Sequence, residues 1–582
     1  MKFAKLAVYL EKLEKTPSRN EITKILADLF KETPLSEIDQ VVYLLAGRLL
    51  PNYKGVEFNI AEKLMFQILA KAYERDSGEV EQLFKAKGDL GAVAFAFAGK
   101  LRRASKSQNL SVSDVYGQMF AISQESGTGS QDRKINLMAD LLTALDPLSV
   151  RFVARIPIGN LRLGFSDMTI LDALSFMLKG DKSARKEIED AFNVNVDIGV
   201  IAKKVKAKGL AGIKNVDPYP GIPIRPSLAE RLPTAEKILE KVGQKVYVEP
   251  KYDGFRAQVS IWTQGHQKKV AIFSRNLENT TLMFPDLVSA VKKIKVESAI
   301  FDAEAIAYNV KTGKFLPFQE TSQRKRKHGI PEAARRLPLK LFVFDILYKD
   351  GKSFLHLPFA QRRKILERTV AKVGDIVAIT DQEVVDSADK IRDLIKRYLS
   401  EGLEGAMIKK IDAPYKAGAR GYHWVKYKKT TEEGVADTID CLVMGIYKGK
   451  GKRAGFGVGA FLAGVLDPTS SRLRGASRFK TVSKIGTGLT DEQWREMKTR
   501  STKLEIRNKP PEYEVDKNLE PDVWVKPSLV VEILADEITI SPIHTAGLAL
   551  RFPRLIRFRD DKNPQQATTV KELKKLYKMQ KA

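Results

Sequence analysis

Lys251 stands in the segment Val248–Arg256, where the chain could present a reactive amine at the end of a strand. The lysine follows one predicted strand and closely precedes another, and Gly254 allows a tight turn between them. A lysine held in such a place is a nucleophile when its amine is neutral, and neighbouring cations favour the neutral form. The alternative is an ordinary solvated lysine of a surface hairpin.

Carboxylates occur in two further segments that read as short strands. Asp302 and Glu304 are two residues apart in an apolar run, so both side chains lie on one face of the predicted strand. Burying acidic side chains in such an apolar run lowers the stability of the fold unless they hold a cation or hydrogen-bond a ligand. Glu404 precedes another short strand that ends in lysines. These carboxylates are candidate ligands for a divalent metal, with a structural salt bridge as the alternative.

An aromatic side chain and a pair of lysines complete the set. Phe344 lies in the apolar run 341–347, where it either fills the core or presents a stacking face to a base. Lys426 and Lys428 share one strand face with Trp424, and a phosphate between two lysines would relieve their repulsion. Together these residues suit attack by an amine on the α-phosphate of a nucleotide. The chemistry would not use a Walker A loop, because no GxxxxGK[ST] segment is present.

The elements that must position these residues change along the chain, from helical periodicity to strand periodicity. Residues 1 to about 215 read as helical, with Ile60, Leu64 and Ile68 at helical spacing. The proline-rich stretch Asp217–Pro226 then marks a break.

The part after the prolines has strand periodicity. Residues 255–261 alternate between apolar and polar side chains. Further strands are predicted at 270–274, 299–308, 340–347, 405–409 and 423–428, with a helix at 386–399. This region is predicted to be an α+β domain. Beyond a second shift near Gly434–Asp440, short strands and glycine-rich turns predict a small β-barrel, followed by the tail helix Val570–Lys581.

Composition narrows the class of protein. The 582 residues carry a net charge of +28, which favours a polyanionic partner over a merely solvated surface. The single cysteine, Cys441, excludes an intrachain disulfide framework and predicts a core position. No signal peptide or apolar run of membrane-spanning length is evident, so we expect a soluble cytoplasmic protein, associated with the nucleoid if the source is prokaryotic.

Six ordered segments closely resemble the motifs of ATP-dependent DNA ligases of the archaeal and eukaryotic replicative type, within the covalent nucleotidyltransferase superfamily. They are Lys251–Arg256, Phe273–Asn276, Phe301–Glu304, Leu341–Asp345, Glu404–Lys409 and Trp424–Lys428. Segments outside the centre also resemble the family: Gly159–Gly164, Pro220–Ala229, Tyr447–Arg453, Lys484–Gly488 and Arg551–Lys562. Each motif is weak alone, but six in register are specific.

The resemblance implies a multidomain fold. It comprises an α-helical DNA-binding domain (1–216), an α+β adenylation domain (217–432) and a β-barrel of the oligonucleotide-binding (OB) fold with a C-terminal helix (433–582). The three domains would encircle nicked duplex, mostly through phosphate contacts. The segment Lys428–Asp440 would be the hinge.

The resemblance also implies a role for each candidate residue. Lys251 would attack the α-phosphate of ATP and become Lys–AMP. Glu249 would contact adenine, Phe344 would stack on it, and Arg256 and Arg275 would lie near the ribose and the 5′-phosphate of the nick. The remaining candidates are Glu304 and Glu404 for ribose or metal, Arg420, Lys426 and Lys428 for phosphates, Arg554 and Lys562 for the leaving pyrophosphate, and Asp253 as an auxiliary residue.

The implied reaction seals nicks in double-stranded DNA during replication, repair and recombination. AMP passes from the lysine to the 5′-phosphate, and attack of the 3′-hydroxyl then releases it. The cofactors would be ATP and Mg²⁺, with Mn²⁺ as a substitute, and the protein would act as a monomer. A sliding clamp is left open as a partner because the first domain has no clear clamp-binding box.

Two other classes share some of these features. An RNA ligase or capping-type nucleotidyltransferase would have the lysine motif but not the long helical domain. A non-catalytic nucleic-acid-binding scaffold would have lost residues such as Lys251 and Lys426, which are intact here. NAD⁺ is disfavoured because the bacterial NAD⁺-dependent ligases generally carry a four-cysteine zinc module, and this chain has one cysteine.

Overall fold

The computed structural model describes residues 1–99, 109–159, 161–326, 328–370, 374–428, 438–449, 457–468 and 478–579. The chain divides into two compact units, the first formed by residues 1–231 and 235–426 and the second by 232–234 and 427–582. None of the helices in the described ranges combines the length and apolarity needed to cross a membrane.

The first part of the first unit is helical, as predicted. Its helices are α1 (Phe3–Lys15), α2 (Arg19–Glu32), α3 (Ile38–Leu45), α4 (Glu62–Ala72), α5 (Ser77–Lys87), α6 (Leu90–Ala98), α7 (Val112–Gln124), α8 (Ser130–Thr143), α9 (Pro147–Val153), α10 (Asp167–Lys179), α11 (Arg185–Val194) and α12 (Ile198–Lys208). Local signals start several of them, since Asp89, Asp146 and Asp197 each cap a helix by accepting bonds from backbone N–H groups. Their apolar faces pack into one continuous core.

Two sheets follow, and apart from 232–234 their part of the chain belongs to the same unit up to Lys426. The strands are β1 (Leu228–Arg231), β2 (Val246–Lys251), β3 (Phe255–Gln264), β4 (Gln267–Ser274), β5 (Ser298–Ala307), β6 (Leu339–Lys349), β7 (Lys352–Ser353), β8 (Val377–Ile379), β9 (Glu383–Val385), β10 (Gly405–Lys410) and β11 (Arg420–Lys428). The intervening helices are α13 (Ala235–Val242), α14 (Pro285–Val291), α15 (Phe318–Thr321), α16 (Ile330–Arg336), α17 (Phe359–Val370) and α18 (Ala388–Ser400). One sheet has the order β4-β3-β5-β6-β7, with β8 beside β6, and the other has the order β1-β11-β10-β2-β9.

The helical part and β4 share a hydrophobic core. Ala271 and Phe273 of β4 are buried among the side chains of the helical cluster, and Tyr53 meets the Phe273 ring edge-on at a centroid distance of 6.2 Å. Ile272, which points to the other face of the strand, belongs to the core of its own sheet. β4 is therefore held from both sides.

The second unit is built around a curled sheet. Its strands are β12 (Ile439–Lys448), β13 (Val458–Asp467), β14 (Arg478–Ile485), β15 (Glu505–Ile506), β16 (Tyr513–Glu514), β17 (Val523–Val525), β18 (Val530–Leu534), β19 (Glu537–Ile540), β20 (Leu548–Arg551) and β21 (Arg554–Phe558), with α19 (Asp491–Thr502) and α20 (Val570–Met579). The long strand β12 curls the sheet because it pairs with β13 along one edge and with both β17 and β18 along the other. Cys441 is buried in its core, as predicted.

The predicted elements agree closely with the observed ones. The strands expected at 270–274, 299–308, 340–347, 405–409 and 423–428 correspond to β4, β5, β6, β10 and β11, and the helix expected at 386–399 is α18. The fold class is confirmed. Residue 160 of the expected DNA-binding signature, 429–437 of the expected hinge, 450–453 of the expected barrel motif and 580–581 of the tail lie outside the described residues.

Candidate active site

Lys251 ends β2, and its carbonyl accepts a hydrogen bond from the backbone N–H of Glu404 at 2.9 Å. This contact continues the β2–β10 ladder, in which Lys251 lies opposite Gly405. The pairing brings the Glu404 carboxylate to the lysine ammonium, which donates a hydrogen bond to it. The two residues are 153 positions apart in the chain, so the sheet register creates this pair.

Burial lowers the pKa of Lys251, and the Arg275 guanidinium lowers it further. Glu304 and Asp253 oppose this shift by attracting the charged form of the lysine. Burial also raises the pKa of Glu304 to about 7, despite the nearby cations. The lysine thus lies in a partly desolvated position among charged groups, which is the setting of an activated amine.

Gly254 brings β3 and β5 close together beside the lysine. A Cβ atom at this position would lie 2.3 Å from the carbonyl oxygen of Ala305. Asp253, its neighbour, accepts a hydrogen bond from the backbone N–H of Phe318 at 2.9 Å. Asp253 therefore fixes the start of α15.

Arg256, which is half-buried, forms an ion pair with the buried carboxylate of Asp302. The Arg256 Nε donates to Asp302 Oδ1 at 3.0 Å, and its other nitrogens reach the carbonyl of Ser227 at 2.8 Å and the hydroxyl of Tyr415 at 3.1 Å. Tyr415 in turn donates to Asp302 Oδ2 at 2.7 Å. The salt-bridge alternative is thus correct for Asp302, whereas Glu304, opposite Arg256 in the β3–β5 register, lies beside the lysine.

Phe344 is half-buried among aromatic and cationic side chains. Its ring meets Trp424 edge-on at 5.9 Å, and the Arg256 guanidinium lies 5.6 Å from its centroid. Met407 packs in the same apolar cluster. Phe344 therefore does not belong wholly to the core or wholly to the surface.

Glu249 is buried, and it is held by side chains that the sequence analysis did not single out. Lys409 forms an ion pair with it at 2.6 Å, and Gln382 donates a hydrogen bond to it at 2.9 Å. The alternation of β10 could have revealed Lys409, because this residue lies on the same face of the strand as Met407. Gln382 and Tyr415 carry no such local signal.

Positive side chains gather near Lys251 within the first unit. The pKa of Lys426 is lowered by burial and by the charges of Lys251, Arg275, Arg231 and Arg420. Arg275 and Arg420 are exposed, and Lys426 is half-buried. Such a cluster of mutually repelling cations favours a bound anion.

Three predicted residues lie in the second unit. The Lys428 ammonium is 5.7 Å from the ring centroid of Phe552. Arg554 forms an ion pair with Asp536 at 2.7 Å, and Lys562 forms one with Asp440 at 2.5 Å.

The carboxylates next to Lys251 fit a magnesium ion. Mg²⁺ commonly binds through one or two carboxylates, with nucleotide phosphates and water as its other ligands. Glu404 contacts the lysine directly and Glu304 faces it, which supplies two carboxylates. Within the described ranges, no group of three or more His, Cys, Asp and Glu side chains could hold a metal without such help.

A half-buried lysine with carboxylates, aromatic rings and cations around it has the composition of a nucleotide-binding site. Three family profiles match the chain: DNA ligase N terminus at residues 2–175, ATP dependent DNA ligase domain at 226–428 and ATP dependent DNA ligase C terminal region at 454–562. The chain belongs to the ATP-dependent DNA ligase family. This confirms the family resemblance, the ATP dependence and the choice of DNA ligase over a capping-type enzyme.

Individual relatives agree with this assignment. The chain is 43% identical over 592 residues to a "Probable DNA ligase" of Dictyoglomus turgidum, with 100% of this chain and 98% of the relative covered. It is 40% identical over 603 residues to a "DNA ligase" of Saccharolobus solfataricus, with the same coverage. The solved structure "Pmar-Lig_PreS3" matches with a TM-score of 0.51 at 18% identity over 95% of this chain and 99% of that one, which supports the fold alone.

Proposed function

We propose that the chain seals nicks in duplex DNA through a covalent lysine–AMP intermediate formed on Lys251. The observation that carries the proposal is the half-buried amine of Lys251 at the end of β2, with Glu404 as its hydrogen-bond acceptor and cations close by. The amine nitrogen bonds to the α-phosphorus of ATP, the bond to the bridging oxygen breaks, and pyrophosphate leaves. The amine must lose its proton in this step, and Glu404 is placed to accept it.

The base and sugar of the nucleotide would lie on the face shared by β2 and β10. Glu249 is two residues from Lys251, so both side chains leave the same face. In this proposal Glu249 contacts the adenine, Phe344 supplies a ring for stacking, and Glu304 lies near the ribose. The ion pair with Asp302 holds Arg256 at the edge of the same cluster.

The phosphates would be held by positive side chains. Lys426 and Arg420 are placed to bind the nucleotide phosphates, and Arg275 to bind the 5′-phosphate of the nick, because all three lie in the cation cluster around Lys251. Lys428, Arg554 and Lys562 of the second unit are the candidates that orient the leaving pyrophosphate or contact phosphates. The ion pairs of Arg554 and Lys562 must then exchange a carboxylate for a phosphate.

Glu304 and Glu404 would hold Mg²⁺, with Mn²⁺ as a substitute. When bound, the ion neutralises charge on the phosphates. The protein itself keeps both carboxylates near the lysine, Glu304 on β5 and Glu404 just before β10.

The later steps use DNA. AMP passes to the 5′-phosphate of the nick, and the 3′-hydroxyl then forms the phosphodiester bond and releases AMP. We propose that three domains, with bounds 1–216, 217–432 and 433–582, act on the duplex together. The protein would work as a monomer. It would act in the cytoplasm on chromosomal DNA during replication, repair and recombination. Support comes from the net charge of +28, which suits contacts to many phosphates. A sliding clamp is still a candidate partner.

The decisive test is covalent labelling with α-labelled ATP and Mg²⁺, followed by denaturing electrophoresis. Wild type should retain the label and Lys251→Ala should not, because the alanine has no nitrogen to bond. Lys245→Ala, an exposed lysine just before β2, is the matched control and should label like wild type. An unlabelled wild type, or a labelled Lys251→Ala, would refute the mechanism.

A further inference from the structure

Lys409 is a buried lysine inside a cage of aromatic rings. Its side chain is 2% exposed, and its ammonium lies 4.7 Å from the ring centroid of Phe344, 4.5 Å from that of Phe359 and 4.8 Å from that of Trp424. Its neighbour Lys410, on the opposite face of β10, is exposed. Burying an ammonium group is costly unless it is well paired, and cation–π contacts offset only part of that cost.

The partner of Lys409 is Glu249. The Lys409 ammonium lies 2.6 Å from Glu249 Oε2, and the Gln382 amide donates to Oε1 at 2.9 Å. The Arg363 guanidinium lies 3.9 Å from Oε1. Every one of these neighbours is a hydrogen-bond donor, so the carboxylate can act only as an acceptor toward a further group.

Glu249 lies where its restriction to accepting hydrogen bonds would affect the base of a bound nucleotide. Glu249 lies opposite Met407 in the β2–β10 register, and Lys251 lies opposite Gly405 on the same face. Two residues along a strand span roughly 7 Å. In the proposed binding mode, a nucleotide with its α-phosphate at Lys251 therefore places its base within reach of Glu249. Adenine offers a 6-amino donor there, whereas a 6-oxo purine offers an acceptor.

We propose that Lys409 is a positioning residue that makes this site select 6-amino purines, because it keeps Glu249 a hydrogen-bond acceptor. The inference rests on the proposed function, in which a nucleotide binds at this face. The proton shared by Lys409 Nζ and Glu249 Oε2 can be bonded to either atom without changing this conclusion. In both cases it is used in the contact between the two side chains, and Glu249 Oε1 is left to accept from the base.

Loss of Lys409 would remove that constraint. Burial raises the pKa of Glu249, and the positive charge of Lys409 is the largest influence that opposes this rise. Without the lysine, the buried carboxyl group would take up a proton. A neutral carboxyl group can donate as well as accept, so it could pair with a 6-oxo purine.

The test compares ATP with inosine triphosphate, which carries a 6-oxo group. The rate of covalent labelling is measured with each α-labelled nucleotide, and the quantity of interest is the ratio of the two values of kcat/KM. Lys409→Met, which keeps the aliphatic stem, should lower this ratio about ten- to a hundredfold, the range for one altered buried hydrogen bond. Lys410→Met is the matched control and should retain the wild-type ratio.

A second variant keeps the test decisive if Lys409→Met does not fold. Glu249→Gln combined with Lys409→Met removes both charges together, which a protein tolerates better than one unpaired buried charge. Because the amide can turn to donate or accept, this double variant should also have a low ratio. A folded single or double variant with the wild-type ratio would overturn the inference. A wild type that is not labelled by ATP would instead refute the proposed function.

Discussion

Gly254 illustrates how a single residue can position the proposed nucleophile, Lys251. The sequence suggests a glycine that permits a tight turn, but Gly254 is not among the glycines with positive φ. Its role is close approach, since the space for a Cβ is taken by the carbonyl oxygen of Ala305. The missing side chain lets β3 start directly against β5 next to Lys251.

Gly254→Ala should therefore slow self-adenylation strongly. The strands must separate to admit the methyl group, and a displacement of about 1 Å at a reacting centre can cost roughly a hundredfold in rate. The measurement is the rate of covalent labelling with α-labelled ATP. Gly117→Ala is a suitable control, because that glycine lies within α7 with no atom within 4 Å of the added Cβ. Labelling of Gly254→Ala at the wild-type rate would contradict this prediction, because it would show that β5 can move away from the added methyl group without disturbing Lys251.

Among the elements, β4 connects the helical part of the chain to the proposed nucleotide site. Phe273 lies in the helical core, while Arg275, two residues later, is part of the cation cluster near Lys251. Tyr53, which packs against Phe273, also donates a hydrogen bond to Asp197 at 3.1 Å. The helical part thus anchors the strand that leads to a proposed phosphate-binding arginine.

Phe273→Ala should destabilise the first unit by about 3–5 kcal/mol, the usual cost of removing a buried phenylalanine ring. Tyr53→Phe should cost only about 1 kcal/mol, because it removes one hydrogen bond and keeps the ring contact. Urea denaturation of the full chain measures both effects. Equal costs for the two variants would mean that the ring contact contributes little.

At the scale of the whole molecule, the charge of +28 makes DNA binding sensitive to salt. Phosphate contacts release counterions, so affinity falls steeply as salt rises. With about six contacts, raising salt from about 50 to 200 mM should weaken binding to nicked duplex roughly a thousandfold.

Binding measured by fluorescence anisotropy checks this expectation. Labelling of the enzyme by ATP in the absence of DNA is the internal comparison, and it should change far less over the same salt range. A shallow salt dependence of binding to nicked duplex would contradict a surface that acts through many phosphates.

Much of the molecule could be predicted from the sequence because the signals involved are local. The alternation in 255–261 and in the later apolar runs depends only on neighbouring residues, and it located β3 to β6, β10 and β11 within a few positions. The ordered motifs identified the family and singled out Lys251 as the candidate nucleophile. The burial of Cys441 also followed from its apolar neighbours.

The partners of the candidate site residues could be found only in the tertiary structure. Lys251 and Glu404 are 153 residues apart, and Glu249 and Gln382 are 133 apart. Asp302 and Glu304 read alike in the sequence, yet one is neutralised by Arg256 and the other faces the lysine. Strand register and packing decide such pairings, and both depend on contacts between distant segments that no local pattern records.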